Sequence, residues 1–386
     1  MIELKGMSWD HPRGHDSIVA TSAAYSKMHP DVSFAWGTRS LQDFADYPIE
    51  RLAQDFDFIV LDHPFMGVAA TSGCLLPLDE WLTPESLQDQ AEHTVGPSYE
   101  SYLYDGHYWA MAIDAACQVS SCRPDLLDRD VPKTWDEVVT LAEDRMGKAA
   151  GQVAQPFIPV DTLMTFLTLC AVYGEPAGHD PDRFASEQVG RTAWETMLRL
   201  ARAVHPMSRV SNPIRTYDRM SETDEIAYVP AAFGYSNYSR AEFRSSLLRF
   251  SATPQTDGPG RGGVLGGAGL AISARTALPV AAADFAAYAA SGAVQSGVYV
   301  ASGGQPGHID AWTSDEVNGY CGNFFADTLG AIESAYLRPR YDGFMEFQDR
   351  AGAMLHQALF SGETAQEVLP RLERLFRASL QRTKSQ

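Results

Sequence analysis

The chain has 386 residues, of which 45% are hydrophobic and 20% charged, an ordinary composition for a soluble globular protein of two or three lobes. Its formal net charge of −19 argues against a nucleic-acid partner, which needs a basic face, and against attachment to anionic lipid. The five cysteines are odd in number and include no Cys-x-x-Cys pair, so we expect no disulfide scaffold, no metal site and no cofactor.

The amino end carries no recognisable targeting segment. Met1 leads directly into Ile2-Glu3-Leu4-Lys5, which is typical of a strand rather than of a signal peptide. We therefore expect a periplasmic protein if a leader was trimmed and a cytoplasmic protein if Met1 is the native start, and the sequence leaves both open. No apolar run approaches the ~20 residues of a spanning helix, so we expect no membrane insertion.

The first elements alternate between strands and helices. The pattern predicts strands at 2–7, 32–36 and 56–61, a first helix capped by Asp16, and a second helix over 48–55. This β-α-β-α-β order predicts a parallel sheet, because the intervening helices act as crossover connections.

A long apolar strand follows the turn signal Asp105-Gly106. It runs from 108 to 119 and carries one ionisable side chain, Asp114, in its middle, with the thiol of Cys117 close behind. An ionised carboxylate inside an apolar strand is costly unless it is paired. After a polar break, Thr134-Trp135-Asp136-Glu137 predicts a capping box at the start of a helix.

Four motifs in consistent order over nearly the whole chain resemble family 1 extracellular solute-binding proteins, the sugar-type receptors of ABC importers. They are Tyr104-Asp105-Gly106, Arg123-Pro124-Asp125-Leu126-Leu127 with the capping box, Gly266-Gly267-Ala268-Gly269-Leu270-Ala271-Ile272-Ser273, and Gly303-Gly304-Gln305-Pro306. In that family the stretch around Asp114 is a hinge strand between two lobes, and the ligand lies beside it.

The resemblance implies an α/β, two-lobed periplasmic-binding-protein type II fold. We expect one lobe to comprise 1–115 plus 266–312, and the other 116–265 plus 313–386. The implied function is capture of a small polar ligand (a sugar, polyol or related metabolite) in an interlobe cleft by hinge closure. An exported protein of this kind would have an ABC permease as its partner.

Candidate ligand-binding residues come from two sources. Ligands of open α/β sheets bind outside the carboxyl ends of strands, which selects loop residues whose alternative role is ordinary loop polarity or a helix cap. For Asp114, the two alternatives are contact with a ligand or hinge and pairing with an internal arginine. The resemblance to the family adds Gly266, Gly267 and Gln305. The complete set is Trp9, Asp10, His11, Asp62, His63, Asp114, Asp161, Tyr235, Asn237, Tyr238, Gly266, Gly267 and Gln305.

Two other functions stay open at the level of sequence. In an enzyme, Cys117 would be a nucleophile activated by a nearby base, for which His11, His63, Asp62 and Asp161 are candidates. Thiaminase I is similar in fold class and has a catalytic cysteine, but no motif aligns, so this comparison is an analogy. The alternative role for Cys117 is that of a small buried hydrophobic residue. A cytosolic ligand sensor is the third possibility.

Overall fold

The structure, a computed structural model, describes residues 2–40, 48–256 and 262–383. The strands are β1 (Ile2–Trp9), β2 (Val32–Arg39), β3 (Phe58–Leu61), β4 (Leu103–Tyr104), β5 (His107–Tyr108), β6 (Met111–Cys122), β7 (Gln152–Val153), β8 (Ile226–Phe233), β9 (Arg249–Ser251) and β10 (Leu265–Ile272). The helices are α1 (His15–Met28), α2 (Ile49–Asp55), α3 (Met66–Ser72), α4 (Pro84–His93), α5 (Ser98–Tyr102), α6 (Trp135–Arg145), α7 (Pro159–Val172), α8 (Glu187–Ala203), α9 (Pro213–Glu222), α10 (Pro279–Ala290), α11 (Gly292–Val294), α12 (Ile309–Thr313), α13 (Asp315–Tyr320), α14 (Phe324–Glu333), α15 (Phe344–Ser361) and α16 (Ala365–Thr383).

The first three strands pair as the sequence predicts. β1 runs parallel to β2 along its whole length and parallel to β3 at Gly6 and Met7. The strand that follows in space, β10, lies outside that prediction and pairs with β3 in the antiparallel sense. The chain reaches β10 from a distant segment, and no single crossover helix fixes its direction.

Helix starts show one correction and one confirmation. Gly14 occupies the capping position of α1 without a side-chain hydrogen bond, so Asp16 lies in the first turn and is not the predicted cap. At α6 the capping box is confirmed: the Glu137 N–H donates to Thr134 Oγ1 at 3.3 Å, and the Thr134 N–H donates to Glu137 Oε2 at 3.2 Å. Both bonds satisfy donors that the helix start leaves without a partner in the helix.

The chain forms two compact units. Unit 1 consists of Met1–Ala116, Gly266–Gly319 and Arg340–Asp342, and unit 2 of Cys117–Leu265, Tyr320–Pro339 and Gly343–Gln386. The predicted lobe ranges stay a prediction, because compactness alone does not show that the units move as lobes.

Unit 1 is built on a sheet in the order β2-β1-β3-β10, followed by the amino-terminal part of β6. Phe285 of α10 packs against Phe34 and Phe58, with ring centroids 4.3 and 5.2 Å apart. Tyr25 of α1 meets the Phe285 ring edge-on at 5.4 Å. Each aromatic side chain buries roughly 150–250 Å², so this cluster holds α1 and α10 on the sheet.

Unit 2 has its core around α7. Every residue of this helix from Asp161 to Val172 is buried, which is typical of a helix with neighbours on all sides. The carboxyl-terminal part of β6 pairs antiparallel with β8, and β8 pairs parallel with β7. Within the described residues, no helix has the length and apolarity needed to cross a membrane.

Candidate functional site

Polar residues follow β1 and β3 at one edge of the unit 1 sheet. β1 ends at Trp9 and β3 at Leu61, and because these strands are parallel, their carboxyl ends meet the same edge. The structure therefore brings Trp9-Asp10-His11 and Asp62-His63 to one place, which we call the polar edge. In open α/β sheets this is where ligands bind.

Asp62 sets the position of His63. Its Oδ1 accepts the His63 N–H at 2.8 Å and lies 3.0 Å from His63 Nδ1, while the His63 side chain is fully buried. The ring of Tyr102 meets the imidazole edge-on at 6.5 Å. Asp62 thus caps the short 3-10 helix His63–Phe65, as its helix-cap alternative predicts, and its contact with a ligand stays a prediction.

The loop before α1 shapes the rest of the polar edge. His11 Nδ1 accepts the N–H of Arg13 at 3.1 Å. A Cβ at Gly14 would lie 2.3 Å from Trp9 Cδ2, so only glycine lets the indole pack against this backbone. Trp9 and His11 are buried, whereas Asp10 is exposed.

Asp114 has an internal arginine partner. Arg13 Nε donates to Asp114 Oδ2 at 2.8 Å, and Arg13 Nη2 donates to Asp114 Oδ1 at 2.5 Å, in a bidentate pair that is almost fully buried. Burial raises the pKa of Asp114, and the guanidinium opposes that shift. The alternative that the sequence left open is therefore present, and direct contact between Asp114 and a ligand stays a prediction.

The backbone around Asp114 is held by the segments of the family motifs. The Ala115 N–H donates to the Gln305 carbonyl at 3.0 Å, and Gln305 Nε2 donates to the Ala115 carbonyl at 2.9 Å. Gly267 has a φ of +107°, and a Cβ there would lie 2.3 Å from the Asp114 carbonyl, so the position requires glycine. Gly266 precedes it in β10 and is half-buried. These residues fix β6 in unit 1, and a ligand contact from them stays a prediction.

Asp161 is the buried carboxyl group of unit 2. It lies in the first turn of α7, is 4% exposed, and its Oδ2 accepts no hydrogen bond from any residue that the structure describes. Burial raises the pKa of Asp161 to about 8. Its carboxyl group is therefore mostly protonated at neutral pH and can donate a hydrogen bond as well as accept one.

The polar loop after β8 makes its contacts inside unit 2. The Tyr238 hydroxyl donates to Asp218 Oδ1 at 2.8 Å, and the ring is fully buried. Tyr235 is 5% exposed and meets the Tyr217 ring edge-on at 6.4 Å, and Asn237 is 2% exposed. The structure thus gives Tyr238 a packing role, and ligand contact from this loop stays a prediction.

Cys117 has the surroundings of an inert thiol. It is 3% exposed, and burial raises its pKa to about 12. A nucleophilic cysteine needs a lowered pKa and access to substrate. The geometry therefore gives no support to the enzyme hypothesis.

Two arginines at this edge were missed by the sequence analysis. Arg13 lies in a loop that suggested only polarity. Arg39 ends β2 opposite Trp9, is 8% exposed, and donates from Nη2 to the Val60 carbonyl at 2.9 Å. The alternation of residues 32–36 predicts the strand, but it gives no signal that Arg39 at the strand end is buried.

The sequence matches one protein family over most of its length. The bacterial extracellular solute-binding protein family matches residues 23–320. A maltotriose-binding protein of Pyrococcus abyssi (strain GE5 / Orsay) is 28% identical over 141 residues, which cover 36% of this chain and 30% of that protein. The match thus spans less than a third of that relative.

Solved structures extend the likeness to the whole chain. A maltose-bound MalE3 of T. maritima superposes with a TM-score of 0.83 at 16% identity, covering 98% of this chain and 99% of that one. A ribitol complex from Agrobacterium radiobacter K84 gives 0.81 at 18% identity, with 98% of both chains covered. An α-D-tagatose complex from Thermotoga lettingae TMO gives 0.81 at 15% identity, with 98% and 100% covered. These likenesses confirm the predicted fold class, α/β with the two-lobed periplasmic-binding-protein architecture.

Proposed function

The chain belongs to the bacterial extracellular solute-binding protein family, and from that premise we propose that it captures a small polar ligand, with a sugar or polyol as the first candidate class. Similar proteins are described with maltotriose, maltose, ribitol and tagatose. These compounds share a chain or ring of hydroxyl groups, each of which donates and accepts hydrogen bonds. A site for them needs both donors and acceptors, next to an apolar face.

The polar edge of unit 1 is the observation that carries this proposal. Asp10 is exposed and Asp62 partly exposed, so both carboxylates can accept hydrogen bonds from hydroxyl groups, and the His11 imidazole can donate or accept according to tautomer. The fully buried His63 imidazole contacts Asp62 and has a positioning role in the proposal. The Trp9 indole, which is buried against the Gly14 backbone, gives this edge an apolar side.

Other predicted residues receive different roles in the proposal. Arg13 and Asp114 form a buried pair that positions the polar edge against β6, so we assign Asp114 a positioning role first. From unit 2 we propose Asp161, Tyr235 and Asn237 as additional ligand contacts, because they are polar groups near the amino end of α7 or directly after β8. Gly266, Gly267, Gln305 and Tyr238 support the backbone or the core around these groups.

A binding screen tests the proposal. The purified protein is heated with a panel of sugars and polyols that includes maltose, maltotriose, ribitol and tagatose, and hits are measured by calorimetry. A ligand present at 100 times its Kd should add about 2.7 kcal/mol to the free energy of unfolding. If no sugar or polyol in a broad panel binds, the ligand class is wrong.

Matched variants locate the site. Asp10→Ala removes an exposed carboxylate from the polar edge and should weaken binding by about 1.5–3 kcal/mol, the value of a hydrogen bond to a charged group. Asp31→Ala is the control, because Asp31 is also exposed but directly precedes β2, at the opposite end of the sheet. Equal affinities for the two variants would place the ligand elsewhere.

The partner and the motion follow from the resemblance. We propose that the liganded protein engages an ABC permease, which is measured as ligand-dependent stimulation of the transporter ATPase in proteoliposomes. Stimulation that is equal with and without ligand would contradict this.

The predicted hinge closure should lower the radius of gyration in solution scattering when ligand binds, and an unchanged radius would argue against it.

A further inference from the structure

Two histidines and one aspartate form a compact cluster in unit 1 that shares no residue with the polar edge. Asp89 and His93 are four residues apart on α4, so they lie on the same face of the helix. Asp89 Oδ1 is 3.0 Å from His93 Nδ1 and 3.5 Å from His308 Nε2. The two imidazole rings stack with centroids 5.5 Å apart.

The backbone holds the two parts of this cluster together. Thr94, the residue after α4, forms an antiparallel bridge with His308, and the Val95 N–H donates to the Gly307 carbonyl at 2.8 Å. Main-chain pairing therefore brings the two segments of the cluster together, independently of contacts between its side chains.

His308 is the member whose surroundings need explanation. Its side chain is 3% exposed, and within the described residues its Nε2 makes no hydrogen bond of normal geometry. Its Nδ1 accepts the Asp310 N–H at 3.2 Å and lies 3.6 Å from Asp310 Oδ2. A Cβ at Gly292 would come within 2.7 Å of His308 Cε1, so glycine there leaves the ring its space. A buried imidazole nitrogen that lacks a hydrogen bond is costly unless another group satisfies it.

We propose that Asp89, His93 and His308 bind a divalent transition-metal ion, with zinc as the first candidate. Bonds of about 2.0–2.2 Å in tetrahedral geometry separate neighbouring ligand atoms by roughly 3.4 Å. The separations of 3.0 and 3.5 Å from Asp89 Oδ1 are close to that value. Two imidazoles with one carboxylate favour zinc, cobalt or nickel over calcium or magnesium, which prefer all-oxygen sites.

Asp310 supplies the outer partner that such a site needs. Binding of a metal at His308 Nε2 would leave the proton on Nδ1, so Nδ1 would stop accepting the Asp310 N–H and would instead donate to the Asp310 carboxylate, whose Oδ2 lies 3.6 Å away. Histidine ligands in proteins are commonly held by a carboxylate in this way. The bound ion would tie the end of α4 to the segment that leads into α12, with water completing the coordination.

The test uses untagged protein that has been treated with a chelator and dialysed. Titration with Zn²⁺, followed by calorimetry, should show one ion per chain, and Co²⁺ should give the visible spectrum of a tetrahedral nitrogen and oxygen site. His93→Gln should lower the affinity at least about tenfold, since even outer-shell changes cost about 10–100-fold. His93 is 45% exposed, so this variant should fold normally.

The chain contains a matched control. His107 Nδ1 lies 3.0 Å from Asp79 Oδ2 and its side chain is 42% exposed, which reproduces the His93–Asp89 pair. Among the described residues, no third histidine, cysteine or carboxylate completes a cluster there. His107→Gln should leave Zn²⁺ affinity and stoichiometry unchanged. No one-to-one complex at millimolar Zn²⁺, or equal affinities in His93→Gln and His107→Gln, would overturn the proposal. Sugar binding does not enter this experiment, so its outcome is independent of the proposed function.

Discussion

The buried carboxyl group of Asp161 makes the stability of the protein depend on pH in an unusual direction. Its native pKa is raised to about 8 by burial, whereas the same group titrates near 3.8 when it is exposed. Between these two values the native state keeps a proton that the unfolded state has lost. The free energy of unfolding therefore decreases as pH rises through this range, and it levels off above the native pKa.

The size of the effect follows from the shift. Each pH unit in the range lowers the free energy of unfolding by about 1.4 kcal/mol, which amounts to about 3 kcal/mol between pH 5 and pH 7. The amino end of α7 favours a negative charge by about 0.3–1 kcal/mol, which is too little to cancel the cost of burial. The full contribution, about 6 kcal/mol, is reached only above pH 8.

Asp161→Asn removes this titration and keeps the shape of the side chain. Denaturant unfolding at a series of pH values should show the variant gaining stability over the wild type as pH rises from 5 to 8. Asp136→Asn is the control, because Asp136 also lies in the first turn of a helix but is 92% exposed. Wild-type and Asp161→Asn curves that run parallel from pH 5 to pH 8 would refute the argument.

Two further predictions concern other buried groups. Arg13→Met leaves Asp114 buried without its partner and should lower the free energy of unfolding by about 3–5 kcal/mol in denaturant titrations. The double variant Arg13→Met with Asp114→Leu should recover most of that loss. A double variant as unstable as Arg13→Met would contradict the argument. Iodoacetamide at neutral pH should modify Cys117 far more slowly than Cys74, because Cys117 is 3% exposed with its pKa raised to about 12, whereas Cys74 is half-buried. Comparable labelling rates in peptide mass spectrometry would show that Cys117 is accessible.

The parts of the fold that were predicted correctly depend on local patterns. Local patterns mark β1, β2 and the capped start of α6. The helix that connects β1 to β2 acts as a crossover, which is the connection that parallel strands need. The sense of β10 depends on where a segment some 200 residues later in the chain is placed, for which no local pattern exists. Asp16 is acidic at a helix start, but a residue of this kind serves equally well in the first turn as at the cap.

The residues of the candidate site also differ in whether a local sequence pattern predicts them. The polar edge was predicted because it needs only the ends of two neighbouring parallel strands. The zinc ligands proposed above were missed, since Asp89 and His93 meet His308 only through a backbone bridge between distant segments. Tyr238 was predicted as a ligand contact from its polar loop, and the sequence did not reveal that its hydroxyl donates to Asp218 of α9.

Asp114 and Asp161 show what a buried acid in an apolar segment does and does not reveal. In both cases the sequence places a carboxyl group in an apolar segment, where desolvation of its charged form costs free energy. For Asp114, burial raises the pKa, and a bidentate guanidinium 101 residues away in the chain opposes that shift and joins the two segments. For Asp161, Oδ2 accepts no hydrogen bond from a described residue, and burial raises the pKa to about 8, so the group keeps its proton at neutral pH. The arginine occupies both oxygens of Asp114, which suits that residue to positioning. Asp161 Oδ2 has no hydrogen bond from a described residue, so we assign ligand contact to Asp161.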